Sequence, residues 1–289
     1  MAGSGYQDGY WYGADGLRLH FRDYPGDPGR APILCIPGLT RNARDFEGVA
    51  QRLAGTRRVI AVDLRGRGES DYAADPLTYV PPVYLQDVGA LIAEQCRRPV
   101  VLFGTSLGGL IAMLLGLTAR PSLAGVLLND IGPAINANGL ARIASYVGAD
   151  QRFEDWDAAA RAIAAHQDGA FPDYAHADWL VWAHRMCREA EDGAVRFDYD
   201  PAIALPFKLP PPEPAFDLWP AFETLAGLPA LLVRGQASDI LESATASEMV
   251  RRVPTMALVT VPRTGHAPTL EEPEAALAID RLLDEVDRE

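Results

Sequence analysis

From about residue 30 onward, short apolar runs alternate with stretches whose apolar positions recur every three or four residues. The runs at 33–36, 59–62, 100–103, 126–128, 230–233 and 258–261 are almost continuously hydrophobic. That is the pattern of a strand covered on both faces. Between them, 45–53, 83–96, 107–119, 243–252 and 273–286 have the length and periodicity of amphipathic helices. Strand–helix alternation of this kind predicts a parallel sheet with right-handed crossovers and helices on both faces. Ahead of it, 17–24 (LRLHFRDY) alternates with period two, as an antiparallel strand near the sheet's edge does.

The rhythm breaks between about residues 133 and 214, where Ala, Trp and charged residues dominate. Helices over 158–166 and 178–190 fit this stretch better than strands do. The prolines Pro210, Pro211, Pro212 and Pro214 cannot continue a helix and suit a return connection. The expected organisation is a core made of 1–132 and 215–289, with 133–214 as a helical cap inserted over the C-terminal ends of the strands.

Composition narrows the partners. A net charge of −13 argues against nucleic acid and against an anionic membrane surface. Cys35, Cys96 and Cys187 are odd in number, lack a CxxC spacing and sit among apolar neighbours, so they read as packing residues. The first residues lack the basic and apolar regions of a signal peptide, and no apolar run reaches membrane-spanning length. A cytoplasmic protein acting on a small molecule is expected; oligomeric state is not legible.

The strongest chemical signal is VVLFGTSLGG, residues 100–109. Gly104-Thr105-Ser106-Leu107-Gly108 is a G-x-S-x-G pentapeptide between a strand and an apolar helix. A turn this sharp strains the backbone at the serine and leaves room only for small neighbours. It also presents the hydroxyl at the start of a helix, where N–H groups meet developing negative charge. With IPGLTRNARDF (36–46), VDLRGRGESD (62–71), VRGQASDIL (233–241) and VPRTGHAP (261–268) following predicted strands in order, nearly the whole chain resembles the α/β-hydrolase superfamily.

The resemblance implies the α/β-hydrolase fold, a mostly parallel eight-stranded sheet with a cap, and a metal-free serine esterase, lactonase or carbon–carbon bond hydrolase needing no cofactor. Ser106 would be the nucleophile and His266 its base, in the fold's chain order. The oxyanion would be held by the N–H groups of Leu39 and Leu107. Asp239, after the 230–233 strand, is the first choice to orient the imidazole, because the superfamily usually places the acid there. Asp130, ending the preceding strand, is the rival, since some members place it earlier, and Glu242 is a third choice. Thr40, Arg41, Trp179 and Trp182 are candidates for the substrate pocket. Arg41 as a carboxylate clamp competes with Arg41 paired to Asp45. The insertion aromatics could equally roof a pocket or pack the insertion.

Gly66-Arg67-Gly68 lacks the third glycine and helix start of a dinucleotide fingerprint, and no HExxH or P-loop occurs. Serine at 106 departs from the dehalogenase and epoxide hydrolase branches, which carry aspartate. A receptor built on a hydrolase scaffold stands as the alternative from another class.

Overall fold

A computed structural model describes residues 5–167, 169–209 and 217–288; the proline cluster at 210–214 lies outside the described residues. The chain runs β1 (Gln7–Tyr12), β2 (Arg18–Tyr24), β3 (Ile33–Ile36), α1 (Glu47–Leu53), β4 (Val59–Asp63), α2 (Pro81–Gln95), β5 (Val100–Thr105), α3 (Leu107–Ala119) and β6 (Leu123–Asn129). An insertion follows: α4 (Ala137–Tyr146), β7 (Arg152–Phe153), α5 (Trp156–Gln167), α6 (His176–Met186), β8 (Cys187–Glu189) and β9 (Val195–Phe197). The core resumes with α7 (Trp219–Glu223), β10 (Ala230–Gly235), α8 (Ser243–Arg252), β11 (Met256–Val261) and α9 (Pro273–Val286).

The main sheet has eight strands in the order β1-β2-β4-β3-β5-β6-β10-β11. β1 pairs with β2 and β2 with β4 in antiparallel fashion; the remaining pairings are parallel. β2 is therefore one strand in from the edge. The edge is β1, whose sequence QDGYWY has too few apolar residues to stand out as a buried strand.

Alternation along the central strands divides the core. Val100 and Leu102 of β5 pack into a cluster with α2, α3 and α8, whereas Val101 and Phe103 face the opposite cluster with α1 and α9. The six-residue strand thus supplies both faces, which is why it reads as an unbroken apolar run.

The insertion has its own core, with Phe153, Ile163, Phe171, Trp179, Trp182, Cys187 and Val195 buried together. It also contains a three-stranded antiparallel sheet, β7-β9-β8. The helix expected to reach residue 190 stops at Met186 and the chain turns into β8. Strands of two or three residues are too short to leave a period-two pattern. The insertion is tied down at its far end: Gly68 N–H donates to the Asp198 carbonyl (3.1 Å), Asp200 N–H to Gly66 (2.8 Å) and Tyr79 hydroxyl to the Asp200 carboxylate (2.6 Å).

Beneath these loops lies a buried charged cluster. Asp63, ending β4, accepts from Ala43 N–H (2.6 Å), Glu69 N–H (3.0 Å) and His20 Nδ1 (2.7 Å). His20 also reaches Asp8 through Nε2 (2.9 Å). Burial alone would depress the His20 imidazole, but the Asp63 and Asp8 carboxylates outweigh it and raise the pKa above the ordinary 6.5. A raised histidine stabilises the fold fully below its unfolded pKa, and that contribution is lost as pH rises through the folded value. Urea midpoints should accordingly fall as pH climbs from 6.5 through the raised pKa, and His20→Gln should flatten that decline. An equally steep decline in the variant would remove His20 as its source.

Candidate active site

β5 ends at Thr105 and α3 starts at Leu107, leaving Ser106 alone to make the turn at φ 51° and ψ −114°. This left-handed geometry is costly for a residue with a side chain and persists only where its surroundings enforce it. They do so here. A Cβ at Gly104 would meet the backbone of Gly108, one at Gly108 the carbonyl of Ile36, and one at Gly109 the side chain of Ile131. Ser106 N–H donates to the Asn129 carbonyl (3.0 Å), joining the turn to the end of β6.

Facing the hydroxyl is His266, in the loop after β11, with Nε2 2.9 Å from Ser106 Oγ. Its Nδ1 lies 2.8 Å from Asp130 Oδ2. Asp130 is fully buried and its φ of 55° turns it back beneath the histidine. Gly235 N–H donates to Oδ1 (2.9 Å) and the Ser238 hydroxyl to Oδ2 (2.5 Å). Each carboxylate oxygen thus has a donor, as a buried charge requires.

The geometry corrects the choice of Asp239. That side chain is 42% exposed and held by Arg142, whose Nε and Nη2 donate at 2.5 and 2.8 Å. Burial opposes its ionisation, but Arg142 prevails and keeps the carboxyl below the ordinary range. Asp239 lies four residues past β10, where α4 supplies a cation, whereas Asp130 directly follows β6, the strand beside β5. Glu242 instead accepts from Asn136 Nδ2 at 2.6 Å.

Two supporting residues escaped the sequence reading. Ser238 fixes Asp130, and Asn129 donates through Nδ2 to the Pro268 carbonyl (2.8 Å) and to Thr105 Oγ1 (3.1 Å), clamping the histidine loop. The dipeptide Asn129-Asp130 at a strand end was the available signal: two polar residues closing an apolar run need local partners.

Leu107 opens α3, so its N–H belongs to the first turn, which has no intrahelical acceptor. Gly38 approaches Ser106 so closely that a Cβ there would lie 3.7 Å from the serine Cβ, bringing the Leu39 loop alongside. Fully buried Arg67 donates through Nε to the Leu39 carbonyl (2.9 Å) and through Nη1 to the Arg65 carbonyl (2.6 Å). It therefore fixes the loop from behind.

Ser106 stands between two cavities. One, of about 110 Å³, is lined by Thr40, Arg41, Asp45, Tyr146, Gln167, Trp182, Arg185 and His266, among others. The other, of about 270 Å³, is lined almost wholly by aliphatic and aromatic side chains, Leu39 and Leu107 among them. Thr40, Arg41 and Trp182 line the first of these. Trp179 lines neither of the two and packs against Phe171, Tyr174 and Trp182 inside the insertion. Arg41 pairs with both oxygens of Asp45 (2.6 and 2.7 Å) and lies over the Trp182 ring at 4.7 Å. Among the described residues, no cluster of three His, Cys, Asp or Glu side chains could hold a metal ion.

Residues 33–280 match the family model described as the alpha/beta hydrolase family. The chain belongs to that family. This hydrolase is 38% identical to a 3-hydroxybutyrate-oligomer hydrolase of Cupriavidus necator over 273 residues, 91% of each chain. It is 29% identical to a 2-(acetamidomethylene)succinate hydrolase of Mesorhizobium japonicum, covering 89% of this chain and 90% of that one. The solved structure of an alpha/beta hydrolase from Novosphingobium aromaticivorans superposes with a TM-score of 0.93 at 51% identity, covering 97% of this hydrolase and 99% of that chain. Among the described residues of the hydrolase, no helix is long and apolar enough to cross a membrane.

The two aspartates separate by substitution. Asp130→Asn should lower kcat on an activated aryl ester by about 10³–10⁴-fold, because an amide favours the wrong imidazole tautomer. Asp239→Asn, which loses a half-exposed ion pair, should change kcat little. Steady-state kinetics, with melting curves to confirm folding, check both; the reverse ranking would return the role to Asp239.

Proposed function

We propose that this hydrolase cleaves a small carboxylic ester through an acyl-enzyme on Ser106. The observation that carries the reading is the continuous hydrogen-bonded line from Asp130 Oδ2 through His266 to Ser106 Oγ, at 2.8 and 2.9 Å.

In the first half-reaction, Ser106 Oγ attacks the ester carbonyl while His266 Nε2 takes its proton. The negative charge moves to the carbonyl oxygen, towards the N–H groups of Leu39 and Leu107. As the tetrahedral centre collapses, the carbon–alkoxy bond breaks and the imidazolium passes its proton to the leaving oxygen. In the second half, His266 deprotonates water, which attacks the acyl carbon. The acid departs, and Ser106 recovers its proton. Asp130 orients the imidazole and stabilises its charged form without taking the proton.

The relative that hydrolyses 3-hydroxybutyrate oligomers supports short oligoesters of a hydroxy acid as the substrate class. Catalysis requires only this chain's own groups, and the substrate is a small molecule.

Ser106→Ala should retain the melting temperature and lose labelling by a fluorophosphonate. Its kcat on a short-chain ester should fall on the order of 10⁶-fold, the scale seen when a serine hydrolase loses its nucleophile. Turnover retained in that variant would refute the assignment.

A further inference from the structure

The two cavities at Ser106 differ in chemistry, and His266 borders only one of them. His266 lines the smaller, polar cavity and is absent from the lining of the larger, apolar one. If an acyl-enzyme forms on Ser106, as proposed above, the proton on Nε2 must reach the leaving alkoxide across a hydrogen bond. The alcohol half of the ester then occupies the cavity that contains the imidazole. The acyl half then extends into the larger cavity, which Leu107 borders; Leu39 borders both.

The lining of each cavity identifies the half it accepts. Leu110, Ile131, Ile135, Leu140, Ile143 and Ile240 contribute to the apolar wall, and apart from Ser106 its polar side chains among the described residues are two tyrosines. One of them, Tyr79, already donates its hydroxyl to Asp200. An acyl chain without charge gains most there.

The polar cavity is lined by two arginines and one aspartate, in a protein whose net charge is −13. Asp45 takes up Arg41 through both oxygens. Arg185 spends Nη2 on Glu271 at 2.7 Å, and its side chain is only 17% exposed. Its backbone carbonyl accepts from Asn42 Nδ2 (2.9 Å) and Arg44 Nε (3.0 Å), so the residue is held in place at the base of the guanidinium.

We infer that the alcohol half of the substrate carries a carboxylate that binds beside Arg185, while the acyl half is an uncharged chain in the apolar cavity. On an oligoester of hydroxy acids, this orientation releases one unit at a time from the carboxylate end. The polar cavity, at about 110 Å³ against about 270 Å³, holds the smaller half.

The test is a set of esters varied at each end and measured by kcat/KM. One is a hexanoyl ester of a short hydroxy acid with its carboxylate free; the second is the same compound with the carboxylate capped as a methyl ester. The third places a carboxylate at the far end of the acyl chain and methanol as the alcohol. The free carboxylate should exceed its capped form by about tenfold, the scale of one charge-assisted hydrogen bond, chiefly through KM. It should exceed the reversed ester by at least as much.

Arg185→Gln should bring the free-to-capped ratio towards one, and Arg185→Lys should restore part of it. Arg251→Gln, on the exposed face of α8, should leave the ratio as it is. Equal rates for free and capped forms, or preference for the reversed ester, would overturn this assignment while leaving the acyl-enzyme reading intact. Absence of both ester turnover and fluorophosphonate labelling in the folded protein would overturn the two together.

Discussion

The backbone of Ser106 occupies a region of dihedral space that few side chains tolerate, and the close packing around it is what keeps it there. Glycines on either side let β5, α3 and the β3 loop approach until no side-chain atom would fit between them. The hydroxyl is consequently lifted clear of the sheet, with the start of α3 behind it. The contact with His266 Nε2 is built on that turn. The strain at Ser106 is supported by contacts from three elements, and Asp130 shares a positive φ beside it.

Around that turn, polar groups are satisfied in pairs that also position loops. Asp63 binds the 43 and 69 backbone amides and His20, so it anchors both the loop that presents Leu39 and the loop that carries Arg67. Arg67 in turn grips the Leu39 carbonyl. The same loop bonds to Asp198 and Asp200 at the end of the insertion. A buried histidine, a buried arginine and the insertion's attachment thus converge around the loop that carries Leu39.

Much of this was legible from residue pattern because its causes are local. The buried strands advertise themselves by continuous hydrophobicity, and Ser106 by glycine spacing. His266 follows from chain order, as the histidine in a post-strand loop near the C-terminus. β1 and the strands of the insertion were not legible, because strands that are short or mostly exposed leave no periodic trace. The orienting acid was misplaced for a different reason. Choosing between Asp130 and Asp239 depends on which carboxylate a distant arginine neutralises, and Arg142 belongs to α4 of the insertion, far along the chain. Trp179 and Trp182 are three residues apart on one helix, yet only the second lines a cavity at Ser106. That distinction depends on how α6 rolls against its neighbours, and composition does not encode it.

Asn129 and Asp130 together hold both sides of the histidine loop, one through the Pro268 carbonyl and the other through the imidazole itself. They do so from a strand in the interior of the sheet, although the loop springs from β11 at its border, where Leu258 is 42% exposed. Fraying of that border need not disconnect the imidazole from its carboxylate. In a chain wired in this way, the sheet's interior rather than its rim carries the contacts that hold the imidazole.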